Sequence, residues 1–209
     1  MGGQDLEVEV KFLLRDKEEA RKRVLSLGAE SMGRVFEQNV LYDTPDRDLE
    51  RTGRLLRLRT DHAAVLTFKG PRKAPDGGYK VHEEHEVTVS SYSKAVKILK
   101  GIGFFPARAY EKHRETFVLG STKILLDEMP FGDFLELEGE KDAIRDTAAR
   151  LGLAWGTRIT ENYLEIFSVV KDALGLSFDD PTFENFQGLG KEDLLRAAAA
   201  LRGMEGPRG

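Results

Sequence analysis

The stretch Glu7-Val8-Glu9-Val10-Lys11 alternates charged and apolar residues near the start of the chain. Side chains of a β-strand point alternately to its two faces, so the charged residues share one face and the two valines share the other. A solvent-facing strand has the same alternation, with its charges in water and its valines in a core. Taken by itself, the stretch predicts a strand and leaves the environment of its charged face open.

The same spacing returns four more times, and each pair carries a single sign of charge. The pairs are Arg57-Leu58-Arg59, Glu84-His85-Glu86, Lys112-His113-Arg114 and Glu136-Leu137-Glu138. Solvated strands usually mix their charges, because like charges on one face repel each other. Like-charged pairs become favourable when a ligand of opposite sign lies between them: carboxylates suit a divalent cation, and arginine and lysine suit phosphate. Together the pairs predict a site for a metal-bound polyphosphate.

This order of charged sets resembles the CYTH superfamily, the triphosphate tunnel metalloenzymes. The resemblance begins at Glu7-x-Glu9-x-Lys11, ends with Asp127 and Glu136-x-Glu138, and covers about residues 5 to 167. The family includes class IV adenylyl cyclases, thiamine triphosphatases and inorganic triphosphatases. Membership implies a β-barrel tunnel that holds a triphosphate and divalent metal ions.

Alternation and turn residues predict roughly eight strands, most of them joined as hairpins. Two clear hairpins surround Asp61-His62 and Gly120-Ser121, and the second begins with a predicted strand from Ala109 to Leu119. Further strands are predicted from Gln38 to Tyr42 and from Lys80 to Val89, with a loop from Gly70 to Gly78 before the latter. We therefore predict an α+β fold with a closed, mostly antiparallel eight-stranded β-barrel, a charged lumen and helices packed outside. Charged faces then point inward and Val and Leu faces outward, which requires a wet, occupied lumen. The closed tunnel itself is implied by the resemblance, and the alternation is consistent with it.

Capping residues and glycine stops divide the rest of the chain into helices. The predicted helices cover residues 17–27 after Asp16, 94–100, about 140–151, 161–174 after Thr160, and about 190–202. We expect residues 1–175 to form the tunnel domain. Residues 176–209 are expected to be a C-terminal extension that packs on this domain and has a frayed end.

Composition limits the classes of function. The chain has 209 residues, 40% hydrophobic and 33% charged, with a net charge of −4, which argues against a general nucleic-acid or membrane-surface binder. The absence of cysteine excludes disulfides, thiolate metal sites and a cysteine nucleophile. We see no signal peptide or membrane-spanning stretch, and we expect a cytoplasmic protein that is a monomer or a homodimer.

The charged residues divide into two functional groups, and the resemblance assigns phosphate and metal binding to the same positions. The predicted triphosphate-binding residues are Lys11, Arg57, Arg59, Lys69, Lys80, Lys112 and Arg114. The predicted ligands of Mg²⁺ or Mn²⁺ are Glu7, Glu9, Asp127, Glu136 and Glu138, with Asp127 either a direct ligand or a supporting residue. Catalysis is assigned to Glu7, Glu9, Lys11 and Asp127. Glu84 and Glu86 bind a second metal or hold arginine side chains in place, and we favour the second role.

The predicted function is metal-dependent hydrolysis of a small-molecule triphosphate: inorganic triphosphate, ATP or thiamine triphosphate. The alternative is a class IV adenylyl cyclase that converts ATP to cyclic AMP and pyrophosphate. The spacing of Lys69, Lys80 and Lys112-x-Arg114 resembles the cyclase branch. We place hydrolysis first because the sequence reveals no adenine pocket. A non-catalytic triphosphate sensor is disfavoured by the intact ligand set, and an RNA 5′-triphosphatase by the lack of a basic exterior.

Overall fold

A computed structural model describes residues 6–73 and 78–204. Part of the predicted loop from Gly70 to Gly78 and the predicted frayed end at 206–209 lie outside these residues. The strands are β1 Leu6–Leu13, β2 Glu30–Asp43, β3 Leu55–Thr60, β4 Ala64–Lys69, β5 Lys80–Val89, β6 Phe105–Leu119, β7 Thr122–Met129 and β8 Gly132–Glu138. The helices are α1 Lys17–Ser26, α2 Asp48–Arg51, α3 Tyr92–Gly101, α4 Lys141–Arg150, α5 Tyr163–Leu174, α6 Phe183–Phe186 and α7 Lys191–Arg202, with a 3₁₀ turn at Trp155–Thr157.

The eight strands form a closed antiparallel barrel in the order β1-β5-β4-β3-β2-β6-β7-β8. Closure joins the first strand to the last: Glu9 is paired with Glu138 and Lys11 with Glu136. The predicted α+β fold with an eight-stranded barrel is therefore confirmed.

Most of the barrel's hydrophobic core lies outside its wall. Val10 and Phe12 alternate with Glu9 and Lys11 along β1, and both are buried in a cluster with α1 and α4. Val24 is the buried residue of α1, and α4 contributes Ile144 and Ala148. A smaller cluster seats α3 against β2 and β3. The outward burial of the apolar faces leaves the charged faces for the lumen, as the alternation predicted.

One end of the barrel is filled by apolar side chains from the C-terminal helices. Phe134, on the same face of β8 as Glu136, packs edge-on against Tyr163 at the start of α5, with ring centres 5.4 Å apart. Met129 and Phe131 join the same cluster, together with residues of α5, α6 and α7. We call this end of the barrel the α5 end.

Several boundaries differ from the sequence-based predictions, and three of them affect the description of the lumen. Helix α5 begins at Tyr163, because Asn162, rather than Thr160, is its N-cap and forms a capping box with Glu165. Strand β2 begins at Glu30, eight residues before the predicted start at Gln38, because it pairs along β6 through a bulge near Gly33. Strand β6 likewise begins at Phe105 and not at Ala109.

The C-terminal residues contact the barrel through both backbone and side chains. The carbonyl of Pro181 accepts the N–H of Glu111 on β6, and the Glu111 carboxylate accepts the N–H of Phe183. Helix α7 packs on α5 through Ala197 and Leu201. No helix in residues 6–73 or 78–204 combines the length and apolar character needed to cross a membrane.

Candidate active site

The lumen is a cavity of about 1050 Å³ lined by carboxylates and cations. Carboxylates are concentrated on β1, β5 and β8 and cations on β3, β4 and β6, but Lys11 and Lys80 lie among the carboxylates and Glu37 lies among the cations. The lining includes thirteen of the fourteen residues assigned from sequence: Glu7, Glu9, Lys11, Arg57, Arg59, Lys69, Lys80, Glu84, Glu86, Lys112, Arg114, Glu136 and Glu138. The fourteenth, Asp127, is fully buried behind them.

Three glutamates meet where β1 joins β8. One carboxylate oxygen from each of Glu7, Glu9 and Glu138 lies within 4.8 Å of the others. We call these residues the acidic cluster. Gly139 fixes the end of β8, since its N–H bonds to the carbonyl of Val8 and a Cβ there would lie 2.9 Å from the carbonyl oxygen of Ser121. Three converging carboxylates fit a hard divalent cation such as Mg²⁺ or Mn²⁺.

Two carboxyl groups of the lumen, those of Glu138 and Glu84, hold protons more tightly than usual because their pKa values are raised. Burial and the charge of Glu136 raise the pKa of Glu138 to about 8. Burial also raises the pKa of Glu84 to about 7, with the Glu7 carboxylate adding to the shift and Lys69 opposing it. Negative charge around these two groups is therefore only partly compensated by the protein, and a cation there would release the excess protons.

Glu9 and Glu136 differ in how far their charges are already paired. Glu9 accepts hydrogen bonds from the ammonium groups of Lys11 and, at 2.6 Å, Lys80. Glu136 lies 3.1 Å from Lys11 and 3.5 Å from Arg114, and it is not a member of the acidic cluster. Burial opposes ionisation of Lys11, but the charges of Glu136 and Glu9 raise the pKa of Lys11. Glu136 thus contacts two lumen cations, and its predicted role as a metal ligand stays a prediction.

Asp127 is enclosed by hydrogen-bond donors. Oδ2 accepts from Lys112 at 3.0 Å, Arg114 at 2.5 Å and the Tyr163 hydroxyl at 2.6 Å, while Oδ1 accepts from Arg114 Nε at 2.6 Å. Although burial favours the neutral acid, the charges of Arg114 and Lys112 lower the pKa of Asp127. With four donors on its two oxygens, Asp127 supports phosphate-binding cations and has no oxygen turned toward the acidic cluster. Of the two roles considered for it, we propose the supporting one.

The glutamates of β5 contact the cationic wall. Glu86 accepts from Thr67 at 2.7 Å and from Arg57 at 3.3 Å. Glu84 lies 3.3 Å from Lys69 and 3.9 Å from Arg57. These contacts match the expected supporting role of the pair, which remains a proposal.

Three lumen residues escaped the sequence analysis. Glu37 is buried among cations, 3.6 Å from Lys112 and 4.0 Å from both Arg59 and Arg114. Burial opposes its ionisation, yet these cations lower the pKa of Glu37 to about 2. Tyr110 accepts a hydrogen bond from Arg57 at 3.1 Å. The remaining residue is Tyr163, which reaches the lumen from α5.

The alternation of side chains along the strands could have identified Glu37 and Tyr110 as lumen residues, but not Tyr163. Extending β2 backwards in steps of two from Leu41 gives Asn39, Glu37 and Val35 on one face, and the late predicted start of the strand hid this pattern. Tyr110 precedes Lys112 by two residues and shares its face. Tyr163 begins a helix outside the barrel, so strand alternation says nothing about it.

A second cavity of about 390 Å³ adjoins the lumen beside the N-terminus of α5. The two cavities share Lys69, Lys80, Leu41 and Leu55 in their walls. Leu49, Leu56 and Leu164 make much of the second cavity apolar. It offers space for an uncharged group joined to a phosphate chain in the lumen.

The raised pKa values predict a pH-dependent effect of metal on stability. Between about pH 5 and 8 the folded, metal-free protein binds more protons than the unfolded chain, so its free energy of unfolding falls as pH rises. Excess Mg²⁺ replaces those protons, so the free energy of unfolding no longer falls as the pH rises. Thermal melts at pH 5.5 and 8.5, in EDTA or in Mg²⁺, should give the larger Mg²⁺-induced rise in Tm at pH 8.5. An equal rise at both pH values contradicts the assignment of Glu138 to the ion.

A sequence model for the CYTH domain matches residues 5–154. Among curated proteins, a candidate adenylate cyclase of Methanocaldococcus jannaschii is 29% identical over 173 residues, which cover 77% of this chain and 98% of that protein. Two solved structures share the fold. A candidate adenylate cyclase from Vibrio parahaemolyticus has a TM-score of 0.69 at 23% identity, over 79% of this chain and 99% of that one. A candidate adenylyl cyclase from Hippeastrum is described as having a dominant triphosphatase activity. Its structure has a TM-score of 0.58 at 18% identity, and the match covers 78% of this chain and 95% of that one.

Proposed function

Because the chain belongs to the CYTH domain family, we propose that it is a divalent-metal-dependent enzyme that hydrolyses inorganic triphosphate or a triphosphate ester. The observation that carries this proposal is that one lumen holds both a group of converging carboxylates and a group of arginines and lysines. An acidic cluster and a set of arginines and lysines across one cavity of about 1050 Å³ suit a metal-bound polyphosphate better than either ligand alone.

The cations of the lumen would bind and align the phosphate chain. Arg57, Arg59 and Arg114 present planar guanidinium groups that grip phosphate oxygens in pairs, while the lysines act as point charges. Phosphoryl transfer depends mainly on such positioning and on neutralisation of the charge that develops on the phosphoryl oxygens. A Mg²⁺ or Mn²⁺ ion held by Glu7, Glu9 and Glu138 would add Lewis-acid polarisation of those oxygens when bound.

Hydrolysis transfers the terminal phosphoryl group to water. Attack of a water oxygen on the terminal phosphorus breaks its bond to the bridging oxygen and gives orthophosphate and the diphosphate. The exposed residues Ser121 and Glu140 line the cavity at the end opposite the α5 end, and we expect the nucleophilic water to enter there.

Adenylyl cyclisation is the second candidate, and the adjoining 390 Å³ cavity is the observation that favours it. Its apolar wall could accept an organic group attached to the phosphates, as ATP requires. The M. jannaschii relative bears the name of a candidate adenylate cyclase. The Hippeastrum protein bears a similar name together with a dominant triphosphatase activity, so the name alone does not separate the two reactions.

One assay separates the two reactions. The purified protein receives inorganic triphosphate, thiamine triphosphate or ATP with Mg²⁺ or Mn²⁺, and orthophosphate, pyrophosphate and cyclic AMP are each measured. We expect orthophosphate and the matching diphosphate in equal amounts, without cyclic AMP, and no turnover in excess EDTA. Cyclic AMP and pyrophosphate in equal amounts would establish cyclisation instead. Binding of triphosphate without any product would identify a sensor.

A further inference from the structure

If the lumen binds triphosphate as proposed above, we further propose that Tyr163 is a positioning residue of that site, which holds the ammonium groups of Lys11 and Lys112 in place. Tyr163 is the first residue of α5 and belongs to no barrel strand. Helix α5 would therefore be part of the binding site as well as the cover of one barrel end.

The ring of Tyr163 lies against two of the lumen cations. The Nζ atom of Lys11 is 5.2 Å from the ring centre and that of Lys112 is 5.1 Å from it. Both distances are within the range of cation–π attraction. Lys11 is on β1 and Lys112 on β6, strands that are not neighbours in the barrel. One aromatic ring thus joins two strands that share no hydrogen bonds.

The orientation of the ring is fixed from three sides. Its hydroxyl donates to Oδ2 of Asp127 at 2.6 Å, and Phe134 packs edge-on against it. The capping box of Asn162 sets the first turn of α5. Just upstream, Ile159 and Lys11 exchange two backbone hydrogen bonds, of 2.9 and 2.7 Å. The segment that carries Tyr163 is therefore tied to the strand that carries Lys11.

Fixing a lysine before the ligand arrives has a direct effect on binding. A lysine side chain has several rotatable bonds, and ordering it costs free energy that otherwise reduces affinity. Lys11 and Lys112 are ordered by carboxylates and by the ring together, and they are among the least exposed side chains of the lumen. Removal of the ring should loosen both ammonium groups while their charges remain.

The test compares two buried aromatic residues of the same helix. Tyr163→Leu should raise KM for inorganic triphosphate about fivefold, by loss of the cation–π attraction, and change kcat less. The Mg²⁺ concentration for half-maximal activity should stay unchanged, because the described contacts of Tyr163 include no residue of the acidic cluster. Phe167→Leu, in the same apolar cluster, should lower Tm without raising KM. Tyr163→Phe retains the ring and should restore KM.

A graded substitution covers the case in which Tyr163→Leu does not fold. Titration calorimetry compares Tyr163→Phe with a protein that carries a ring-trifluorinated phenylalanine at position 163. The fluorine atoms keep the shape of the ring and weaken the negative charge on its face. Affinity for a non-hydrolysable triphosphate should fall on fluorination. Equal affinities, or a rise in KM in Phe167→Leu equal to that in Tyr163→Leu, overturn the positioning role. A parent protein that binds no triphosphate overturns the proposed function instead.

Discussion

Glu138→Gln is expected to lower turnover about a hundredfold or more, since loss of even an outer-shell partner of a metal typically costs 10–100-fold. The same change should leave the metal-free protein as stable as the parent at pH 7. With a pKa of about 8, the Glu138 carboxyl carries a proton at that pH. Glutamine then replaces a neutral group of nearly the same shape, so folding loses little while the acidic cluster loses a ligand.

The measurement pairs initial rates in saturating Mg²⁺ with thermal melts in EDTA. Glu83→Gln is the matched control, because the Glu83 side chain is more than half exposed, does not line the described lumen and is not part of the acidic cluster. Its turnover should equal that of the parent. Normal turnover in Glu138→Gln, or a large fall in its metal-free Tm, would falsify a metal-binding role for this carboxylate.

Arg59→Ala should weaken triphosphate binding by roughly 10- to 150-fold, the equivalent of about 1.5–3 kcal/mol for a hydrogen bond to a charged group. Arg59 is the lumen arginine with the longest ion-pair contacts among the described residues, 3.5 Å to Asp61 and 4.0 Å to Glu37. Its Nε is buried without a described hydrogen-bond partner. Guanidinium N–H groups that have no partner in the folded protein are available to bind a ligand. Arg59→Ala should therefore lower the affinity for triphosphate without lowering the stability of the protein.

Calorimetry with a non-hydrolysable triphosphate measures the affinity, and melts without ligand measure the stability. Arg34→Ala is the control for long-range charge, since Arg34 lies on the outer face of β2, is about half exposed and pairs with Glu128. It should bind triphosphate like the parent. Unchanged affinity in Arg59→Ala argues that Arg59 does not touch the phosphate chain.

Lys112→Ala should behave differently from Arg59→Ala. From sequence, the lumen cations would repel one another in the empty site, and removing any one of them would cost no stability. The structure contradicts that expectation for Lys112, whose ammonium is paired with buried Asp127 and Glu37. Its removal leaves two buried carboxylates short of a partner, which is destabilising. We therefore expect both weaker binding and a lower Tm in this variant.

The barrel and the charged faces were predictable because they depend on local alternation. Charged residues recur at every second position over Glu7 to Lys11 in β1, Arg57 to Arg59 in β3 and Glu84 to Glu86 in β5, and turn residues such as those around Asp61 mark strand ends. Strand β5 was predicted with the bounds that it has, Lys80 to Val89. Which residues face inward followed from the same period of two, once the barrel was assumed to be closed.

The partners of the lumen residues were not predictable, because they depend on register and shear between strands. Alternation puts Asp127 and Glu136 on the inner face but gives no indication that one is enclosed by cations and the other lies between cations and acids. Glu37 was not predicted as a lumen residue because it precedes the predicted start of β2 at Gln38. Tyr163 reaches the lumen from a helix whose docking is a tertiary event, and helical periodicity alone describes it as a core residue.

The seam between β1 and β8 ties the active site to the last stages of folding. Contacts between the first and the last strand close the longest loop in the barrel, and such non-local pairings form slowly. The acidic cluster spans this seam, with Glu7 and Glu9 on one strand and Glu138 on the other. A nascent chain therefore has no cation site until its barrel is closed, and Glu138 must take up a proton or a cation as the strands meet. Catalytic competence and completion of the fold are then one kinetic event, which divalent cations should accelerate.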